Sequence, residues 1–412
     1  MPIANILGVI VILAVAIGLS EARGAILYKN AARTLGLQFA IAILVLALPG
    51  SSAVMGKISA GVTNIISFAN QGTDFVFGPL AHAENGFILA FQVFPIIIFI
   101  ATVFAILFHL RIMDVVIKFL GGIVRKITGA SRLESTVASA SIFIGMVEAP
   151  LAILPYLKKM TRAQLFTVMS CGLASIAGTV LVAYTALGVR LDLLLTASFM
   201  AAPGGLLMGK LLIPETETPF DIANFKEASE HDDPNKPSNL IEAATSGAIV
   251  GLEIMLNVIA VIIAFVAVIA MINATFSGIG GLFGHPEFSL EYVFGIIFAP
   301  IAWLIGVPWE EARAAGPFLG QKLVANEFLA YLNFTKDIES FSDEAQIAIT
   351  VALCGFSNFV GVGILMAGLG SVVPERKQEI SKLGMKALLA GSLSNFMSAA
   401  LVGVVLWGAS LF

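Results

Sequence analysis

The 412-residue chain is 58% hydrophobic and only 12% charged, and Lys+Arg 23 against Asp+Glu 27 leaves a net charge of −4. Soluble domains carry about 25% charged residues, so the composition excludes a string of soluble domains and a disordered tail. It also excludes a nucleic-acid binder, whose polyanionic partner needs a positive field. Cys171 and Cys354 both lie inside apolar runs, which excludes a disulfide scaffold.

A helix crossing the ~30 Å hydrocarbon core needs about 20 apolar residues. The runs 5–19, 34–49, 87–108, 163–189, 191–213, 243–275, 345–372 and 383–411 meet or approach that length, which predicts an all-α polytopic membrane protein. The first run is short, but it lacks a basic n-region and reads as a membrane helix rather than a signal peptide. The stretch 50–86, with Lys57 as its one basic residue apart from histidine, reads as a loop. Segment 112–127 is amphipathic and basic and predicts an interfacial helix; 289–305 is its more apolar counterpart.

Basic residues mark cytoplasmic connections. They cluster at Arg23, Lys29 and Arg33, at Arg111 through Arg132, at Lys158, Lys159 and Arg162, and at Arg376 through Lys386. Segment 135–157 is therefore basic at both ends, begins and ends on one side, and predicts a re-entrant hairpin with both chain termini outside. Each arm of roughly 10 residues reaches about 15 Å, half the core. Glu148 is the only charge in that run, and Pro150 predicts a break before it, because proline disfavours helix at the preceding residue, here Ala149. The alternative is a kinked full crossing holding a buried glutamate. The connection 214–242 carries eight acids against Lys226 and Lys236 and reads as a solvated acidic linker on the cytoplasmic side.

An internal repeat runs through the chain. Gly129, Glu134, Glu148 and Cys171 recur in order as Gly306, Glu311, Glu327 and Cys354, at offsets that grow from 177 to 183. Three crossings separate the copies, so the second is inverted and 314–335 becomes a second hairpin entered from the other side. Inverted repeats whose broken helices meet near the midplane are the signature of a secondary transporter.

Glu148 and Glu327 are the leading site candidates, because an ionisable residue at membrane depth is by default functional. Paired across the repeat, they could accept hydrogen bonds from a polar solute; the alternative is that each caps a helix N-terminus. Asn358 can donate and accept within the uncharged run 345–374, and Phe356 could stack on a planar ligand. Helix packing is the alternative for each. Ser175 could offer an oxygen to a small cation or bond its own backbone. The four histidines, His82, His109, His231 and His285, lie at loops or span ends, so no histidine-based catalytic or metal site is expected. An intramembrane enzyme or a channel for a small polar solute remains the rival to a transporter.

Taken together, these residues resemble the concentrative nucleoside transporter family in its bacterial eight-helix form. The likeness is carried by Gly145-x-x-Glu148-Ala-Pro, Cys171-Gly-Leu-Ala-Ser175-Ile176-Ala-Gly, Ala202-Pro-Gly-Gly-Leu, Gly306-Val-Pro-Trp, Val324-Ala-Asn-Glu327-Phe and Cys354-Gly-Phe-x-Asn358. It covers nearly the whole chain. The resemblance implies eight transmembrane helices plus two re-entrant hairpins, a homotrimer in the inner membrane, and nucleoside import coupled to Na+ or H+ by alternating access. No other cofactor and no nucleic-acid partner is implied. It divides the chain into scaffold helices 1–110, a first repeat 111–213, the linker 214–242, a scaffold helix 243–275 and a second repeat 276–412.

By the same resemblance, Glu148 and Val180 contact the base, while Glu327, Phe356 and Asn358 hold the ribose and flank the base. The coupling-ion site maps to Ser141, Ile144, Ser175 and Ile176. The chain departs from the family pattern at three substrate-facing positions. Met146 and Val147 stand where a polar pair is usual, and Gly361 stands where a serine is usual. Losing such contacts changes selectivity, so a uridine-type preference is not expected to carry over. Ser141 replaces the asparagine of sodium-coupled relatives. A hydroxyl is the poorer hard-cation ligand, which brings proton coupling into contention.

Overall fold

A computed structural model of the chain describes residues 2–82, 86–221, 237–285 and 287–409. Among them every regular element is helical. The chain begins with α1 (Pro2–Gly18), α2 (Tyr28–Ala42, running on to Ala47 as a wider turn) and α3 (Ser51–Phe77). Then come α4 (Leu89–Gln92), α5 (Phe94–His109) and the amphipathic α6 (Ile112–Thr128). The segment expected to form the first hairpin comprises α7 (Arg132–Ala140), α8 (Glu148–Leu151) and α9 (Leu154–Leu157). It is followed by α10 (Arg162–Ala174), α11 (Gly178–Ala186), α12 (Leu191–Leu212) and α13 (Leu240–Leu282). The chain continues through α14 (Leu290–Leu304), α15 (Trp309–Val324), α16 (Glu327–Asp337), α17 (Asp343–Leu353), α18 (Phe359–Val372) and α19 (Lys377–Ala409).

Six of the eight expected crossings coincide with helices long and apolar enough to span a bilayer. The other two are the 17-residue α1 and the interrupted pair α17–α18. The core is built where α10, α12 and α19 lie against one another, with α2 and α17 alongside. Small residues permit this closeness. A Cβ on Gly205 of α12 would stand 2.7 Å from the Cys171 Cα, and one on Gly391 of α19 would stand 3.0 Å from the Leu173 carbonyl carbon.

Four expectations need correction. The supposed loop 50–86 holds the 27-residue α3: its Ser, Gly, Ala, Thr and Asn residues dilute hydrophobicity, but no proline interrupts the helix. Pro150 does not end a helix. It sits in the first turn of α8, where a missing N–H costs nothing, so Ala149 is helical and the real interruption is 141–147. The 43-residue α13 runs past the expected boundary at 275 to Leu282. Its length of about 65 Å is twice the hydrocarbon core. Finally, the start of the acidic linker is docked rather than solvated. Gln164 donates to the Phe220 carbonyl at 2.8 Å and accepts from the Phe220 N–H at 3.1 Å, and Thr161 donates to Glu215 at 2.8 Å. The acids from Glu227 to Asp233 lie outside the described residues.

Two of the basic clusters that the sequence assigns to one side, at 158–162 and at 376–386, come together. Arg162 and Lys386 both donate to Glu21, Lys158 pairs with Glu375 at 2.7 Å, and Arg376 donates to the Leu157 and Met160 carbonyls at the end of the first hairpin. Glu21 itself is tied by its backbone N–H to the Leu212 carbonyl at 3.0 Å. These segments thus share a polar face.

Candidate functional site

Four helix interruptions build the candidate site. In the first hairpin, α7 is started by a capping box between Ser131 and Glu134 and stops at Ala140. The turn 141–147 follows. Ser141 is buried and donates to the Val137 carbonyl at 2.8 Å. The Phe143 carbonyl accepts from the Gly178 N–H at 3.0 Å, which fastens this turn to the start of α11. The second interruption is the extended stretch Ser175–Ala177 between α10 and α11. There the Ser175 hydroxyl donates to the Gly172 carbonyl at 3.1 Å. The four residues assigned to a coupling ion, Ser141, Ile144, Ser175 and Ile176, therefore flank one junction. Both hydroxyls spend their proton on backbone, which leaves oxygen lone pairs, and the other donors on offer are backbone carbonyls. Neutral oxygens of this kind suit a hard monovalent cation.

The third interruption is Ala325–Asn326 in the second hairpin. Asn326 caps α16 through the Leu329 N–H at 2.8 Å, and Glu327 is the first residue of that helix. The helix dipole there favours its negative charge. Glu327 is only 4% exposed, and both its oxygens are engaged. Tyr184 donates its hydroxyl to Oε1 at 2.9 Å, and Asn358 donates Nδ2 to Oε2 at 2.9 Å. The fourth interruption, 354–358, presents Asn358, whose Oδ1 simultaneously caps α18 by accepting the Gly361 N–H at 2.6 Å. Phe356 is half-buried beside it. One backbone bond, from the Phe356 N–H to the Ser175 carbonyl at 3.0 Å, joins the second and fourth interruptions.

The structure thus gathers Glu327, Asn358, Phe356, Gly361, Ser175 and Ile176 into one connected region. Val180 is buried one helical turn from Tyr184. Met146 packs over Gly172, and Val147 over Gly368 of α18, so the two apolar replacements in the first hairpin face α10 and α18. Gly361 is a replacement with a steric reason here: a Cβ would lie 2.4 Å from the Phe356 carbonyl oxygen. Glu148 stands apart from this network. It is exposed, its carboxylate folds back over Gly145, and it does not share a hydrogen-bond partner with Glu327.

Three residues of the site escaped sequence reasoning. Tyr184 follows Val180 by four, on the same helix face, and is one of only five tyrosines. Its ring packs on Tyr331 with centroids 4.6 Å apart. Lys322 is a buried cation within the expected second hairpin, and Asn395 is the one amide side chain in the run 383–411. Each carried the signal of a polar group in an apolar run.

Comparison with known proteins shows what the chain is similar to. A family model described as the C-terminus of Na+ dependent nucleoside transporters matches residues 193–403. Its N-terminal counterpart matches 7–80, and a nucleoside-recognition gate model matches 90–190. The chain is 40% identical over 409 residues to the putative nucleoside permease NupX of Escherichia coli (strain K12), covering 97% of each. It is 38% identical over 411 residues to the nucleoside permease NupC of Helicobacter pylori, again covering 97% of each. Among solved structures, CNTnw in an inward-facing substrate-bound state superposes with a TM-score of 0.93 at 43% identity over 98% of both chains. A CNTnw variant in an outward-facing state gives 0.94 at the same identity and coverage.

Proposed function

The chain belongs to the concentrative nucleoside transporter family, whose members are permeases rather than enzymes, and on that premise we propose that it is a cation-coupled nucleoside symporter of the cytoplasmic membrane. The observation that carries this reading is the buried Glu327 carboxylate, held between Tyr184 and Asn358 where interrupted helices meet. A carboxylate and an amide in that setting supply the acceptor and donor that a ribose diol needs. Phe356 offers the adjoining face for a base, and Val180, Met146 and Val147 line its apolar surroundings together with Gly361. Glu148, exposed in this conformation, closes on the solute from the first hairpin during alternating access.

The same reading takes eight crossings and two re-entrant hairpins from the pattern of interruptions, and cytoplasmic placement from the shared basic face. It divides the chain at 110, 213, 242 and 275 into scaffold, first repeat, linker, scaffold helix and second repeat, and it takes a homotrimer as the working unit. The long, outward-facing α13, with exposed Ile263 and Met271, suits the scaffold role. Ser141, Ile144, Ser175 and Ile176 hold the coupling ion, Na+ or H+.

The deciding experiment is uptake into proteoliposomes across a panel of purine and pyrimidine nucleosides, with Na+ and proton gradients imposed separately. Uphill accumulation of an unchanged nucleoside supports symport. Flux without accumulation indicates a channel, and loss of uptake on removing Na+ at constant pH rules out coupling to protons alone. Strict uridine-type selectivity would overturn the altered preference inferred from Met146, Val147 and Gly361.

A further inference from the structure

A buried lysine at membrane depth is by default a functional hypothesis. Lys322 lies in the last turn of α15 and is 2% exposed. Its ammonium donates to the Ala352 carbonyl at 2.7 Å and to Asn395 Oδ1 at 2.7 Å. Ala352 is in the last turn of α17, so the cation sits at the negative end of that helix. Asn395 is itself saturated. Its Oδ1 also accepts from Ser357 Oγ at 2.9 Å, and its Nδ2 donates to the Ala174 carbonyl at 2.7 Å and the Cys354 carbonyl at 2.9 Å. One ammonium and one amide therefore hold the ends of both interrupted helices, α10 and α17, against α19.

Glu327 follows Lys322 by five residues, across the Ala325–Asn326 break. Both are buried and within electrostatic reach of each other, yet the ammonium donates to neutral oxygens and not to the carboxylate. The carboxylate thus stays open to Tyr184, Asn358 and a solute. The repeat adds a second argument. The offsets that relate the hairpins, 177 to 179, map Lys322 onto Phe143-Ile144-Gly145, the turn whose Ile144 carbonyl is assigned to the coupling ion. The second repeat carries, on a side chain, a positive charge that the first repeat lacks.

We propose that Lys322 is a positioning residue: through Asn395 it fixes the α17–α18 interruption presenting Phe356 and Asn358, and its charge is coupled to that of the buried Glu327. The inference rests on the nucleoside-transport reading for its effect on uptake, and on the fold alone for its charge coupling.

The test uses the full-length protein carrying Lys322→Met, Lys322→Arg, Glu327→Gln and the Lys322→Met/Glu327→Gln pair. Thermal midpoints are measured in detergent, and uptake of labelled uridine and adenosine in proteoliposomes. Lys322→Met is expected to raise the half-saturating nucleoside concentration roughly tenfold or more, a loss of about 1.4 kcal/mol or more in binding, while Lys322→Arg retains most of the affinity. Its midpoint falls, and adding Glu327→Gln recovers most of the fall, because removing both buried charges is tolerated where removing one is not. If Lys322→Met does not fold, folding of the paired variant carries the same meaning, and failure of both overturns the proposal. Purely additive midpoint losses, or wild-type uptake constants in folded Lys322→Met, also overturn it. Should the unmodified protein take up neither nucleoside, the transport reading fails while the midpoint arm still decides the charge coupling.

Discussion

Phe356 donates its backbone N–H to the Ser175 carbonyl at 3.0 Å, and this bond makes one unit of two helix interruptions that stand in different halves of the chain. The Phe356 N–H and the Ser175 carbonyl both lie outside helical geometry. The bond thus satisfies groups that would otherwise be orphaned in a nonaqueous interior, where each costs several kcal/mol. It also fixes the register between the side proposed for the coupling ion, Ser175 and Ile176, and the side proposed for the solute, Phe356 and Asn358. This shared backbone is the physical link between the proposed ion and solute sites.

The contrast between the two glutamates gives the first prediction. Glu327→Gln keeps the shape of a buried side chain but places a donor against Tyr184 or Asn358. Hydrogen bonds to charged groups contribute about 1.5–3 kcal/mol, so nucleoside affinity should fall roughly ten- to hundredfold, and thermal stability should fall with it. Glu148→Gln changes an exposed group, so stability should move by less than about 0.5 kcal/mol while uptake drops sharply. Unaltered uptake by folded Glu148→Gln would remove that residue from the site.

Tyr184 separates packing from hydrogen bonding. Tyr184→Phe retains the ring contacts with Tyr331 and Phe328 but deletes the hydroxyl on Glu327 Oε1. Leaving a buried acceptor without its donor costs about 1–3 kcal/mol, which should appear as a lowered thermal midpoint and a raised half-saturating nucleoside concentration. Equal midpoints and constants for the two proteins would show that the hydroxyl does not hold Glu327 in place.

How far the sequence reached can be judged from particular residues. Hydrophobic runs located α5, α10–α11, α12 and α19, because lipid-depth burial forces long apolar stretches. They hid α3, whose helix is made of small polar residues that a hydrophobicity criterion reads as a loop. Glu148 was legible as the one charge in its apolar run and Glu327 as its counterpart in the repeat, but their environments were not. Glu327 is enclosed by Tyr184 and Asn358, which approach it from 143 residues before and 31 after in the chain, while Glu148 lies open. Lys322 and Asn395 carried the same lone-polar signal. Their partners, though, are mostly backbone carbonyls at helix ends, and these exist as acceptors only once the helices break.

Acid should unpick the polar face. The Glu21 carboxyl is held down to about 2, from an ordinary 4.5, chiefly by hydrogen bonding from Arg162 against the cost of its burial, and also by Lys386. A carboxyl depressed in the folded state contributes stability that is complete above about pH 4.5 and is lost as pH falls toward 2. The thermal midpoint of the unmodified protein should therefore exceed that of Glu21→Gln at neutral pH, and the gap should close across that acid window. Because the pair is partly exposed, high salt should narrow the gap at neutral pH as well. A gap that persists undiminished at pH 2 would mean the contribution of Glu21 is not ionic.

The coupling ion is approached through Ser141. Its hydroxyl donates to the Val137 carbonyl, so it offers a cation only the remaining lone pairs of a weakly charged oxygen. An amide oxygen carries more negative charge and is the stronger ligand for a hard cation. Ser141→Asn is expected to lower the Na+ concentration that half-saturates uptake, by roughly tenfold if one ligand contributes about 1.4 kcal/mol, and to reduce any dependence on a proton gradient. The position is buried and the side chain grows, so the thermal midpoint must be followed in parallel, with and without Na+. A variant whose midpoint rises with Na+ more than that of the unmodified protein locates the ion at the 141–144 turn. If Na+ stabilises both equally, or neither, Ser141 is not among its ligands, and the junction between the first hairpin and Ser175 serves packing alone.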